Sequence, residues 1–184
     1  MSGPSVLPAG GRARQQVGRR ARQQVDQRVG PFKAMARDAR VLRVGMNVWP
    51  PFLFSGIHVQ HIAGDFREVA VRLRHTPLTS NYVGTQFGGS IFAMCDPFWM
   101  LMVLRNLGPG YVVWDRAAEV EFLAPGRGPV CTTFHLSQEV LDDLQVRADD
   151  GDRVLHWFEN DVTADDGTLV ARIRKQVYVR RARS

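Results

Sequence analysis

Two hydrophobic periods run through the chain. From Pro31 to Val48, Phe32, Met35, Ala39, Leu42 and Met46 fall three or four residues apart, which predicts an amphipathic helix over 31–48. The "WPPF" that follows is expected to stop it, because two prolines cannot continue a helix. Period-two alternation then predicts strands at 57–62, 67–73, 112–123, 130–136, 154–162 and 169–179. In the third, Ala118, Val120 and Phe122 face one way and Glu119 and Glu121 the other. In the last, Leu169, Ala171, Ile173, Val177 and Val179 share a face opposite Arg172, Arg174, Gln176 and Arg180. Turn residues separate the runs: "AGD" after 62, "PGRG" at 125–128, and "DDG" at Asp165–Gly167, which joins the last two strands as a hairpin. Ser137 is positioned to cap a short helix reaching about Arg147.

One segment has neither period. Residues 88–107 are apolar nearly all round, which predicts a helix buried on more than one side. It is the only element apolar enough to cover the sheet. The expected class is therefore α+β, a curved antiparallel sheet of about six strands wrapped around one long buried helix, with an amphipathic helix before it. Within the apolar segment stands a lone carboxylate, Asp96, followed by Pro97. The proline disfavours helix at Asp96 and removes a hydrogen bond, so a kink is expected, with a freed carbonyl near position 93.

Charge divides the chain. The 184 residues carry a net +6, but residues 1–45 hold ten Lys/Arg against two Asp, and the remainder is 14 − 16 = −2. Residues 1–30 contain the near-repeat "RARQQVGR", "RARQQVDQR" and few large apolar side chains, so they read as a disordered basic extension before a domain spanning 31–184. Nucleic-acid or membrane-surface binding is expected only through that extension. No apolar run resembles a secretory signal or spans a bilayer. Cys95 and Cys131 lack metal-ligand spacing, as do His58, His61, His75, His135 and His156, so no metal is expected and a reducing cytoplasm is the default.

The stretch "NYVGTQFGGSIFAMCD" resembles the hotdog-fold acyl-CoA thioesterases of the phenylacetyl-CoA type. Their Asn-x-x-Gly-x-x-His-Gly-Gly pattern, with an Asp nine residues after the His, corresponds to Asn81, Gly84, Phe87, Gly88, Gly89 and Asp96. The chain from about 50 to 180 also resembles an uncharacterised hotdog-like bacterial family that carries "YVGTQFGGSIFAMCDP" and "VVWDRAAEVEFLAPGRG" in nearly this form. The resemblance implies a hotdog fold and an acyl thioester ligand, with coenzyme A only as part of the substrate and no other cofactor.

Chemistry fits that expectation. Gly88 and Gly89 would open the helix with unpaired N–H groups, able to hold a thioester oxyanion. Asp96 would serve as base or nucleophile with burial raising its pKa, and Asn81 would orient a water or the thioester oxygen. Thr85, Gln86, Phe87, Phe92 and Met94 are candidate substrate contacts, and Arg127 a candidate partner for coenzyme A phosphates, as are Arg172, Arg174 and Arg180. Trp114 and Asp115 are assigned to the outer face of the sheet or to a subunit interface. Asp96 lies eight residues after Gly88, about 12 Å along a helix, so one carbonyl cannot touch both. A second subunit must supply one of them, which predicts a dimer or a dimer of dimers. The Asp-x-Asn-Pro-x-His arrangement of the related hydratases is absent. Phe87 stands where the thioesterases have His, which leaves open a non-catalytic acyl-CoA or lipid-binding protein acting as sensor or scaffold.

Overall fold

The computed structural model describes residues 38–151 and 153–182. The expected basic extension and residues 31–37 of the expected first helix lie outside the described residues. Helix α1 (Ala39–Val48) starts at Asp38, whose carboxylate accepts the Arg40 N–H at 2.7 Å. Its buried face is Ala39, Leu42, Gly45 and Met46. The "WPPF" segment does more than end it. Trp49 becomes the N-cap of a second helix, α2 (Pro50–Ser55). At the first helical positions the prolines give up only N–H groups that have no intrahelical partner.

Six strands follow: β1 (Ile57–Ile62), β2 (Glu68–Leu73), β3 (Tyr111–Phe122), β4 (Val130–His135), β5 (Val154–Ala164) and β6 (Leu169–Arg181). They form one antiparallel sheet in the order β1-β2-β4-β5-β6-β3. The apolar 88–107 segment is two helices, α3 (Gly88–Ala93) and α4 (Phe98–Leu107), divided by a turn over 94–97. The break falls where Pro97 requires it. The Ala93 carbonyl is not left free, however: it accepts the Asp96 N–H at 3.3 Å. Helix α5 (Gln138–Asp149) follows β4, capped by Ser137.

Helices α3 and α4 pack on the apolar face of the sheet, α4 largely through aromatic rings. Trp99 stacks on Phe158 (4.4 Å between centroids, 11° between planes), and Phe98 meets Phe134 at 5.1 Å. A buried polar strut fixes their register. Trp99 Nε1 donates to Asn160 Oδ1 (3.0 Å), while Asn160 Nδ2 donates to Thr132 Oγ1 (2.8 Å) and to Cys95 Sγ (3.3 Å). A one-residue slip of the helices would leave these buried groups unpaired. Cys95 is thereby held beside β5, and its neighbour Asp96 is directed toward β6.

The two sheet edges differ. Asn47 takes both the N–H and the carbonyl of Val59 (2.7 and 3.0 Å), so α1 caps the edge of β1. Among the described residues β3 pairs only with β6, and its residues 114–119 are exposed in unbroken succession.

Candidate functional site

Asp96 does not sit alone. Lys175 Nζ lies 2.7 Å from Asp96 Oδ1 and 3.2 Å from Asp115 Oδ2. The Lys175 side chain is 3% exposed, that of Asp115 27% and that of Asp96 51%. The expectation of a buried Asp96 is thus corrected: the buried member is the ammonium, and Asp96 reaches it from the turn with half its side chain in the open. The carboxylate of Asp115 is not on the outer face either. Asp115 pairs in register with Val177, and the irregularity between Asp115 and Ala117 keeps Ala118, Val120 and Phe122 in line with Lys175, Ile173 and Ala171. Burial pushes the Asp115 carboxyl above its usual range, against the pull of Lys175 and with help from the negative charge of Asp96. The Lys175 ammonium also stands 5.5 Å from the centre of the Phe92 ring. The result is a carboxylate–ammonium–carboxylate row with one carboxylate accessible.

A second feature lies at the other end of β3. A cavity of about 530 Å³ is bordered by Asn81, Thr85, Gln86, Gly88, Phe122 and Arg127, among others. Asn81 builds it. Its Nδ2 donates to Thr85 Oγ1 (2.8 Å) and the Gln86 carbonyl (3.2 Å), and its Oδ1 accepts the Val83 and Thr85 N–H groups. That amide is fully engaged, so it shapes the loop and does not hold a water. Gln86 is buried, and its Nε2 donates to the Gly128 carbonyl at 3.0 Å. It ties the 126–128 loop against the cavity. Arg127 is exposed and makes no ion pair among the described residues.

The two glycines open α3, and neither N–H has a partner among the described residues. Aromatic rings cover both. A Cβ on Gly88 would come within 2.9 Å of Phe122 Cζ, and one on Gly89 would collide with the Phe87 ring. Phe87 and Phe122 are themselves largely exposed, so both rings have room to swing.

The structure therefore brings Asn81, Thr85, Gln86, Gly88 and Arg127 to one cavity. Asp96 and Phe92 are grouped elsewhere, with Lys175 and Asp115. Met94 is wholly buried in the core. Arg172 and Arg174 are not free for phosphates: Arg172 binds Asp161 and Glu159, and Arg174 binds Glu119. Lys175 and the role of Asp115 were missed by sequence reasoning. A signal existed, since 175 continues the inward set 171, 173, 177, 179, and Lys is otherwise found only at 33.

The family model described as "Domain of unknown function (DUF4442)" matches residues 37–179. The chain belongs to this family. No curated protein matches the chain. Among solved structures, this DUF4442 chain is similar to a Pseudomonas aeruginosa protein of unknown function, a probable thioesterase, at 17% identity and TM-score 0.68, over 76% of this chain and 93% of that one. It is also similar to a thioesterase from Haemophilus influenzae (14%, TM-score 0.56, 78% and 90%) and to thioesterase superfamily member 2 from Mus musculus (18%, TM-score 0.54, 76% and 96%). The likeness shows a shared fold, the hotdog fold.

Proposed function

We propose that this protein hydrolyses an acyl thioester, an acyl-CoA in the first instance, at a site completed by a second copy of the chain. The observation that carries the reading is the layout of β3. Its outer edge is open, the Asp96 group adjoins Asp115 near one end, and the Arg127 cavity adjoins Phe122 at the other. If β3 pairs antiparallel with its own copy, the Asp115 end of one subunit meets the Phe122 end of the other. Asp96 of one chain then faces the cavity of its partner, which answers the 12 Å separation expected along one helix. Exposed Trp114, Phe122, Leu123, Tyr82, Val83 and Phe87 would be covered in the same event. A dimer, or a dimer of such dimers, follows.

In this reading Arg127 receives an anionic part of the substrate and the apolar cavity wall receives its chain. The carbonyl oxygen approaches the Gly88 and Gly89 N–H groups as Phe87 and Phe122 swing aside. Asp96 takes a proton from water, the hydroxide adds to the carbonyl carbon, and the carbon–sulfur bond breaks. The thiolate leaves and collects a proton, giving acid and thiol. Lys175 pins one oxygen of Asp96 and leaves the other for the water. Two unpaired cysteines suit a reducing cytoplasm.

The test is thiol release from a panel of short, long and aryl acyl-CoAs, comparing the wild type with Asp96→Asn, together with the solution mass. Turnover lost in the variant at unchanged mass supports hydrolysis. Phe87 over Gly89 favours a second reading, a non-catalytic acyl-CoA or lipid binder. Tight acyl-CoA binding by both proteins without turnover would select it.

A further inference from the structure

The outward half of α1 and α2 is apolar and has no part in the site above. Val41, Val44 and Val48 follow one another at i, i+3 and i+7 on α1, opposite its buried residues, and all three are exposed. In α2, Leu53 and Phe54 are exposed as well, Phe54 at 78%. The fold holds this surface outward. Asn47 grips both backbone groups of Val59, and Arg43 Nη1 donates to the Gln60 carbonyl at 3.0 Å, so α1 cannot roll to bury its valines.

The one carboxylate at α1 and α2 is the N-cap Asp38, which is turned onto the Arg40 N–H. No Asp or Glu occurs from residue 39 to 64, while Arg40 and Arg43 lie on α1 itself. Both Arg43 and Arg74 lie near enough to His58 to add to the burial that holds its imidazole below the ordinary value. In sequence, α1 is preceded by residues 1–37, which hold eight Lys/Arg against one Asp. The rest of the chain beyond residue 45 is net negative, −2, so the cations are not a general property of the surface.

We propose that the outward face of α1 and α2 docks on an anionic lipid surface. Apolar side chains that enter the interface, flanked by cations in excess of carboxylates, are the combination such a surface selects. A nucleic acid would be served by the cations and gain nothing from five exposed aliphatic and aromatic side chains. Among the described residues no helix is long and apolar enough to cross a membrane, so the contact is peripheral. Docking of this kind is independent of whether thioesters are hydrolysed.

The experiment is co-sedimentation of the full chain with vesicles of phosphatidylcholine alone or mixed with phosphatidylglycerol, at low and high salt. Val44→Asp and Phe54→Asp are made separately and together, with solution mass and thermal melting measured alongside. Both positions are exposed, so the variants are expected to fold as the parent does. Binding to the anionic vesicles should exceed that to neutral ones by about tenfold or more and fall with salt. Each acidic substitution should reduce it, and the pair should abolish it. Binding that survives both substitutions would assign the affinity to the basic extension alone and overturn the proposal. So would an absence of vesicle binding, or a change of oligomeric mass in the variants, which would mean that a second copy covers this face. Preference for RNA over anionic vesicles, unaffected by the substitutions, would overturn it as well.

Discussion

Replacing Lys175 with Met tests the carboxylate–ammonium–carboxylate row directly. Methionine keeps most of the volume of the buried stem and removes the charge. Asp115 then loses both influences that lower its pKa, the charge of Lys175 and its hydrogen bond. Burial and the negative charge of Asp96 remain, and both raise it. Removing one partner of a buried pair costs about 3–5 kcal/mol when the other must stay charged. Asp115 is only partly enclosed and can escape by taking up a proton, so about 2 kcal/mol is expected at pH 7. In a domain of this size that lowers the melting temperature by roughly 4–8 °C. The sign of the pH effect follows. A carboxyl whose folded pKa lies above its unfolded value contributes stability that is present at low pH and lost as pH rises through the folded pKa. The Met variant should therefore recover much of its deficit between pH 7 and pH 5, measured by urea unfolding at both. Adding Asp115→Asn should remove the pH dependence of the deficit. A loss of equal size at both pH values, untouched by Asp115→Asn, would refute the coupling and leave only a packing defect.

Asp96→Asn should lower thiol release from acyl-CoA by about 100-fold or more, with a modest loss of stability, because the buried Lys175 keeps Asp115 as its counter-ion. Ala117→Arg, in the middle of the open edge of β3, should halve the mass seen by light scattering, and an unchanged mass would exclude β3 as the interface. Gly89→Ala should displace the Phe87 ring and be relieved by Phe87→Ala, which a stability cycle on the two substitutions measures. Cys95, its pKa pushed up to about 12 by burial, should stay unlabelled by iodoacetamide at pH 7 while half-buried Cys131 reacts, as read by mass spectrometry.

Much of the fold was legible because burial writes itself into period. The alternations in 118–122 and 169–179 assigned faces correctly, and the 88–107 run could be nothing but the sheet's cover. Where the reading stopped short, a local rule met a tertiary one. Pro50 and Pro51 end one helix by the same geometry that lets them begin another, and no periodicity over two residues separates these outcomes. The site was less legible for a related reason. Asp96 was conspicuous as the one carboxylate in an apolar segment, but Lys175 and Asp115 lie 79 and 19 positions further along the chain, on strands whose register is fixed only on folding. The Asp115 carboxylate faces inward because of an irregularity between Asp115 and Ala117 that two residues of plain alternation do not announce.

Lys175 is the instructive omission. The face 171, 173, 177, 179 skips one position, and that position holds an ammonium in a chain with 22 Arg and two Lys. An inward cation demands an anion, and the only apolar element facing that sheet carries one carboxylate. Taken together, the two anomalies pair Asp96 with Lys175 by charge and pattern alone. The pairing also constrains chemistry. A carboxylate with one oxygen fixed on a buried ammonium is directed, and in the proposed dimer its remaining oxygen would meet the partner's cavity across β3. Catalysis by Asp96 and assembly through β3 are therefore linked expectations. A protein that remained monomeric would leave that oxygen facing water, with no cavity opposite it.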